Sequence, residues 1–149
     1  MTLAAHQDPR LVARAGEVLA GLATLCPSLE TAMLLTDDGF TVAQVPEVDD
    51  GDDRMASMAS SVQALGDAVG RELGLGDGDY VVIAGESGLV VQRRIRGLPV
   101  VLAAHFGTGE QVDAALQVTR SAAEWLAHEY NAIVSGDEAP PRRRGRHAA

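Results

Sequence analysis

Between Arg54 and Asp67 the chain carries no charged residue, yet its apolar positions recur as a helix would place them. Met55, Met58, Val62, Leu65, Val69 and Leu73 fall at steps of three and four, which is one stripe of an α-helix ending near Gly74. A surface helix ordinarily sets charges opposite such a stripe. Here Ser57, Ser61, Ala64 and Ala68 stand there at steps of four, three and four, with Ala56, Ser60 and Gln63 beside them. A row of small side chains lets a second backbone approach toward the short end of the ~8–10 Å range of packed helices. The expectation is a helix with two buried faces: the Met/Leu/Val stripe on its own sheet, the small residues on a partner.

The rest of the chain supplies the sheet. Asp8 caps and Pro9 opens a first helix over 9–25, striped by Leu11, Ala15, Val18, Leu22 and Leu25 and stopped by Pro27. Thr31–Thr36 and Phe40–Val45 are strands joined by Asp37-Asp38-Gly39. After the central helix, Tyr80–Ala84 reads as a short buried strand. Leu89–Arg96 alternates, with Leu89, Val91 and Ile95 on one face and Gln92, Arg94 and Arg96 on the other; Arg93 interrupts the apolar face. Pro99 starts a strand through Ala104, and Thr108-x-x-Gln111 reads as a capping box before a last helix. The order is α-β-β-α-β-β-β-α. Short turns between consecutive strands imply an antiparallel sheet with helices layered on it, an α+β domain over residues 1–134. Residues 135–149 lack apolar periodicity and are expected to be a disordered, Pro/Arg-rich tail.

Several chemistries are excluded by spacing. The acidic run Glu47–Asp53 misses the register of a calcium loop, and Ser60 stands where a bidentate Glu is needed. Gly74-Leu-Gly76 follows a helix and precedes a strand, the reverse of a dinucleotide fingerprint. Gly85-Glu-Ser-Gly88 joins two strands and lacks the second glycine of a nucleophile elbow. His6, His105, His128 and His147 have no metal-ligand spacing, and the single Cys26 reads as a packed hydrophobe. The expectation is a protein that is not an enzyme and carries no cofactor or metal.

Charge narrows the partners. The net charge is −9, but the four arginines 142, 143, 144 and 146 lie at the C-terminus. Without residues 135–149, 8 Arg face 19 acids, a charge of −11. Such a body repels nucleic acid. No apolar run is long enough to span a bilayer, and no secretory signal opens the chain, so a cytoplasmic location is expected. The arginine-rich tail offers weak peripheral contact with an anionic membrane or an acidic partner.

The element order and three local patterns resemble the Roadblock/LC7 family, over residues 9–130. Leu34-Leu-Thr-Asp-Asp-Gly-Phe-Thr-Val-Ala43 is similar to that family's first hairpin, and the small-residue helix ending Arg71-Glu-Leu-Gly74 to its second helix. Val81–Gly85, Gly88–Val91 and Val100–Ala103 are similar to its last three strands. The resemblance implies a five-stranded antiparallel sheet, one helix on one face and two on the other, a Roadblock/profilin-like fold. It implies a homodimer through the second helix and the edge of the third strand, with Ser57, Ser60, Ser61, Ala64, Ala68, Val81 and Ile83 at the interface. It further implies a regulatory or scaffold role toward a cytoplasmic Ras-like small GTPase in bacterial signalling, with Arg54 and Arg71, which flank the helix, as the candidate partner contacts. The reading from another class is a small-molecule sensor domain of PAS or GAF kind, for which few aromatics are present to line a cavity.

Overall fold

The computed structural model describes residues 4–48, 53–76 and 78–136. After a 3₁₀ turn at Ala5–Gln7 come α1 (Pro9–Leu25), β1 (Leu29–Thr36), β2 (Thr41–Val45), α2 (Arg54–Glu72), β3 (Val81–Gly85), β4 (Gly88–Arg94), β5 (Val100–Phe106) and α3 (Val112–Ser135). The expected tail from 137 onward lies outside the described residues, and α3 runs on to Ser135 at its boundary.

The five strands form one antiparallel sheet in the order β2-β1-β5-β4-β3. β5 returns through the middle, so β1 and β4 flank it and β2 and β3 are the two edges. Side chains alternate across the central strands. Leu34, Val100 and Leu102 meet Leu11, Ala15, Val18, Leu19 and Leu22 of α1 and Ala122, Leu126 and Ile133 of α3. A neighbouring cluster, Leu89, Val91, Ala104 and Phe106, packs on Ala115 of the same helix. On the opposite face Met33, Leu35 and Val101 meet only Ala56 and Ala59 of α2. Two helices therefore cover one face through a large aliphatic core, and one helix covers the other through alanines.

Local signals place the outer helices. The Asp8 carboxylate accepts from the Arg10 backbone N–H at 3.0 Å, and Pro9 opens α1, where its missing N–H costs nothing. The expected capping box before α3 does not form. Thr108 donates its hydroxyl to the Ser87 carbonyl at 3.3 Å, which ties it to the β3–β4 turn, and α3 begins at Val112 with no side-chain cap from Gln111. Arg93, which interrupts an apolar face in sequence, is accommodated by hydrogen bonds. Its Nε donates to Thr119 Oγ1 at 2.9 Å and its Nη2 to the Leu116 carbonyl at 2.8 Å, while its guanidinium lies 4.9 Å from the centre of the Tyr80 ring. Burial lowers its pKa below the usual guanidinium range.

Candidate interaction surface

α2 departs from its expected orientation. Its buried residues are Ala56, Ala59, Gln63 and Gly70, a third face that neither sequence stripe marked. Met55, Met58, Leu65, Val69 and Leu73 are all exposed, Leu65 to 67% and Met58 to 48%. The apolar stripe thus faces outward and does not pack on the sheet, a correction with a visible cause. The helix seat is polar. Gln92 of β4 is 3% exposed and donates through Nε2 to the Ala59 carbonyl at 2.7 Å and to Gln63 Oε1 at 3.2 Å. Gln63 Nε2 donates to Asp67 Oδ1 at 3.2 Å. Arg94 then bridges the helix to the β1–β2 turn, donating to Asp67 Oδ2 and to Asp37 Oδ1, both at 2.7 Å.

A buried amide left unpaired costs more than a methylene gains, so satisfying Gln92 and Gln63 fixes the rotation of α2 more strongly than its leucines could. Hydrophobic periodicity alone does not register this contest. The visible signal was the alternation that set Gln92 and Arg94 on one face of β4, which is the face under α2.

The expected interface residues separate accordingly. Ser57, Ser61, Ala64 and Ala68 are exposed, as a partner-facing row requires. Ser61 turns its hydroxyl back onto the Ser57 carbonyl at 2.9 Å, which leaves the row smoother and less polar than its composition suggests. Ser60 is corrected to the seat: it is half-buried and donates to the Asp37 carbonyl at 2.5 Å. Arg54 and Arg71 are exposed at the two ends of the helix. With the stripe turned outward, α2 presents both its small residues and its large apolar ones to solvent as one band.

That band runs on into the sheet edge. A Cβ at Gly66 would stand 3.2 Å from Val81 Cγ2, so the middle of α2 lies against the start of β3. β3 pairs with β4 alone, from Val81↔Gln92 to Gly85↔Gly88, and among the described residues no strand pairs with its other side. Tyr80–Ala84 is therefore an exposed edge, not the buried run expected. Val81 is half-buried under α2, Ile83 is 52% exposed, and Ala84 and Gly85 are exposed. An open edge beside an apolar band is a template for pairing unless something covers it.

Residues 15–94, from within α1 to the end of β4, match the family model of the Roadblock/LC7 domain. The chain belongs to the Roadblock/LC7 family. It is similar to the crystal structure of a Roadblock/LC7 domain from Streptomyces avermitilis, with 25% identity over 81% of this chain and 95% of that one, and a TM-score of 0.64. Two further likenesses are of fold: MglB of Myxococcus xanthus (13% identity, 89% and 96% covered, TM-score 0.75) and the gliding protein MglB of Thermus thermophilus (19%, 88% and 98%, 0.73). No curated protein matches the chain in sequence.

In this Roadblock/LC7 domain the described residues hold no group of His, Cys, Asp and Glu able to bind a metal ion, and no described helix is long and apolar enough to cross a membrane. Cys26 is half-buried; burial, with the Glu110 carboxylate second, pushes its thiol above the usual range and away from nucleophilic use. Asp67 and Asp37, beside α2, are paired within the chain to Arg94. What α2 and β3 offer is surface: apolar, small-residue-rich and bordered by free backbone.

Proposed function

We propose that this Roadblock/LC7 domain works as a homodimer joined through α2 and the β3 edge, and that the dimer regulates a Ras-like small GTPase without catalysing a reaction itself. The observation that carries the reading is the continuity of the exposed α2 band with the open edge of β3. A two-fold interface presents the same patch from each side. The part of the band between Arg54 and Asp67 bears no charge, so two copies meet there without like-charge repulsion.

The area supports a moderate affinity. Met55, Met58, Leu65, Val69, Leu73 and Ile83 together expose about three side chains' worth of apolar surface per protomer. Covering it on two protomers at roughly 1.5–3 kcal/mol per side chain yields about 9–18 kcal/mol. Association costs about 4–15 kcal/mol. Hydrogen bonds between paired β3 edges then decide the outcome in favour of the dimer.

Regulation follows from a preference between partner states, because a ligand moves a conformational equilibrium only by its differential affinity for the two states. Arg54 and Arg71, at opposite ends of the band, are the proposed contacts to the GTPase. The test has two parts. Ala64→Glu should leave a folded monomer in light scattering and abolish GTPase binding. The wild-type dimer should bind the GDP-loaded and GTP-analogue-loaded forms of a Ras-like GTPase from the same organism with affinities differing by about tenfold or more, which is about 1.4 kcal/mol. A dimeric Ala64→Glu protein would remove the interface, and equal affinity for both loaded forms would remove the regulation.

A further inference from the structure

The sheet has a second open edge, opposite β3. β2 pairs with β1 alone, and among the described residues no strand lies on its outer side. There α1 and the strand border an open groove of about 940 Å³. Val12, Gly16 and Ala20 form its helical wall, and Val42 lies on the strand side. A Cβ at Gly16 would meet nothing within 4 Å, so a side chain there would project into open space. Glu17, which pairs with Arg14 at 3.4 Å, and Glu47 line it as well. The groove combines an apolar lining, free strand backbone and negative charge, which suits an extended, basic peptide.

The chain contains such a peptide. α3 runs antiparallel to α1: Arg14 Nε lies 3.8 Å from Glu129 Oε2, and Gly21 lies opposite Trp125. The last turn of α3 therefore ends beside the first turns of α1, the end at which Val12 lines the groove. From there the sequence continues Asp-Glu-Ala-Pro-Pro-Arg-Arg-Arg-Gly-Arg-His-Ala-Ala. Residues 137–141 have a maximum reach of roughly 16 Å at about 3.3 Å each, comparable to half the circumference of an α-helix ~10–12 Å across. At full extension that carries Arg142 around α1. Pro140 and Pro141 favour extended backbone at the crossing. Residues 142–149 contain no proline, so every one of them has an N–H for the strand edge. Four arginines in this segment meet a body of charge −11.

We propose that the groove between α1 and the outer edge of β2 is the docking site of the chain's own C-terminal segment, residues 142–149, which adds to β2 as an extended strand with its arginines at Glu17 and Glu47. The docked segment covers the second sheet edge of the same protomer and leaves β3 as the edge open to association. Met55, at the start of α2, also lines the groove, so this edge adjoins the N-terminal end of the α2 band; the inference does not depend on the GTPase reading.

The experiment compares three full-length proteins by hydrogen exchange: the wild type, a tail variant carrying Arg142→Glu, Arg143→Glu, Arg144→Glu and Arg146→Glu, and Gly16→Leu. Leucine improves on glycine in a helix, so Gly16→Leu fills the groove while keeping α1. Amides of Thr41–Val45 should be protected in the wild type and exchange about tenfold faster or more in both variants, as expected for a strand edge that has lost its partner. A fluorescein-labelled peptide of residues 137–149 should bind the tail variant and restore protection, and should not bind when Gly16→Leu is added to it. Equal protection of β2 in all three proteins would overturn the proposal, as would peptide binding that ignores Gly16→Leu. Protection that rises with protein concentration regardless of the tail would also overturn it, because a second copy would then cover the edge.

Discussion

Leu65→Asp separates the two orientations that α2 could have adopted. If Leu65 packed under the helix, as its periodicity alone predicts, aspartate would place a carboxylate in the core and unfold the protomer. In the structure Leu65 is 67% exposed. Full burial of a leucine contributes about 1.5–3 kcal/mol, so covering the exposed two thirds is worth roughly 1–2 kcal/mol per copy and twice that across a two-fold interface. Burying two carboxylates there adds several kcal/mol of desolvation. The dimer should therefore weaken by at least about 3 kcal/mol, more than a hundredfold in Kd. The isolated protomer should change by about 0.5 kcal/mol or less, as surface substitutions do. Sedimentation velocity across a dilution series reads the first quantity. Urea unfolding below the wild-type dissociation constant reads the second, since above it the dimer itself adds apparent stability. A variant that stays dimeric, or one that loses several kcal/mol as a monomer, would refute the outward orientation and the interface built on it.

Gln92→Leu should cost about 1–3 kcal/mol in urea or thermal unfolding, because it leaves the buried Gln63 amide without its donor; sedimentation of the folded fraction should be unchanged. Gly88→Ala should be more damaging, at roughly 3 kcal/mol or more, since φ is +149° there and a Cβ would collide with the Phe106 carbonyl. Circular dichroism melts would show the loss, and an unshifted melt would contradict the tight β4–β5 crossing. The Asp8 carboxyl is held below its usual 3.8 chiefly by the Arg10 side chain, and that of Asp38 chiefly by the Thr36 hydroxyl at 2.6 Å. Both pKa values are depressed in the folded state, so their contribution is complete above about pH 3.8 and is lost as pH falls through the folded values. Acid titration of Asp8→Asn and Asp38→Asn by fluorescence should accordingly show a shallower acid limb than the wild type.

The scaffold could be read from the sequence because its signals are local. Asp8-Pro9 starts α1, Asp37-Asp38-Gly39 turns the first hairpin, and the run from Val81 to Phe106 breaks at Gly85–Gly88 and Gly97–Pro99. The seating of α2 was not legible for the opposite reason. It is decided by Gln92, which is 33 residues from its acceptor at Ala59, and by Arg94, which reaches Asp37 across 57 residues. Long-range hydrogen bonds leave no period in a sequence, and alanine and glycine at the contact carry too little hydrophobicity to advertise it. The same blindness produced the Thr108 capping box, whose hydroxyl is captured by Ser87 from another turn. Ser57, Ser61, Ala64 and Ala68 are exposed whichever neighbouring face meets the sheet. Only Ser60, one position round, was drawn into the seat.

Holding a helix down by amides and alanines frees its large side chains from any duty to the protomer. Met58, Leu65 and Val69 can be exchanged for other shapes, and the domain beneath will still assemble in the same register. Duplicated copies of such a gene could diverge along this one ridge and acquire new mating preferences, while the glutamines under it keep every descendant foldable.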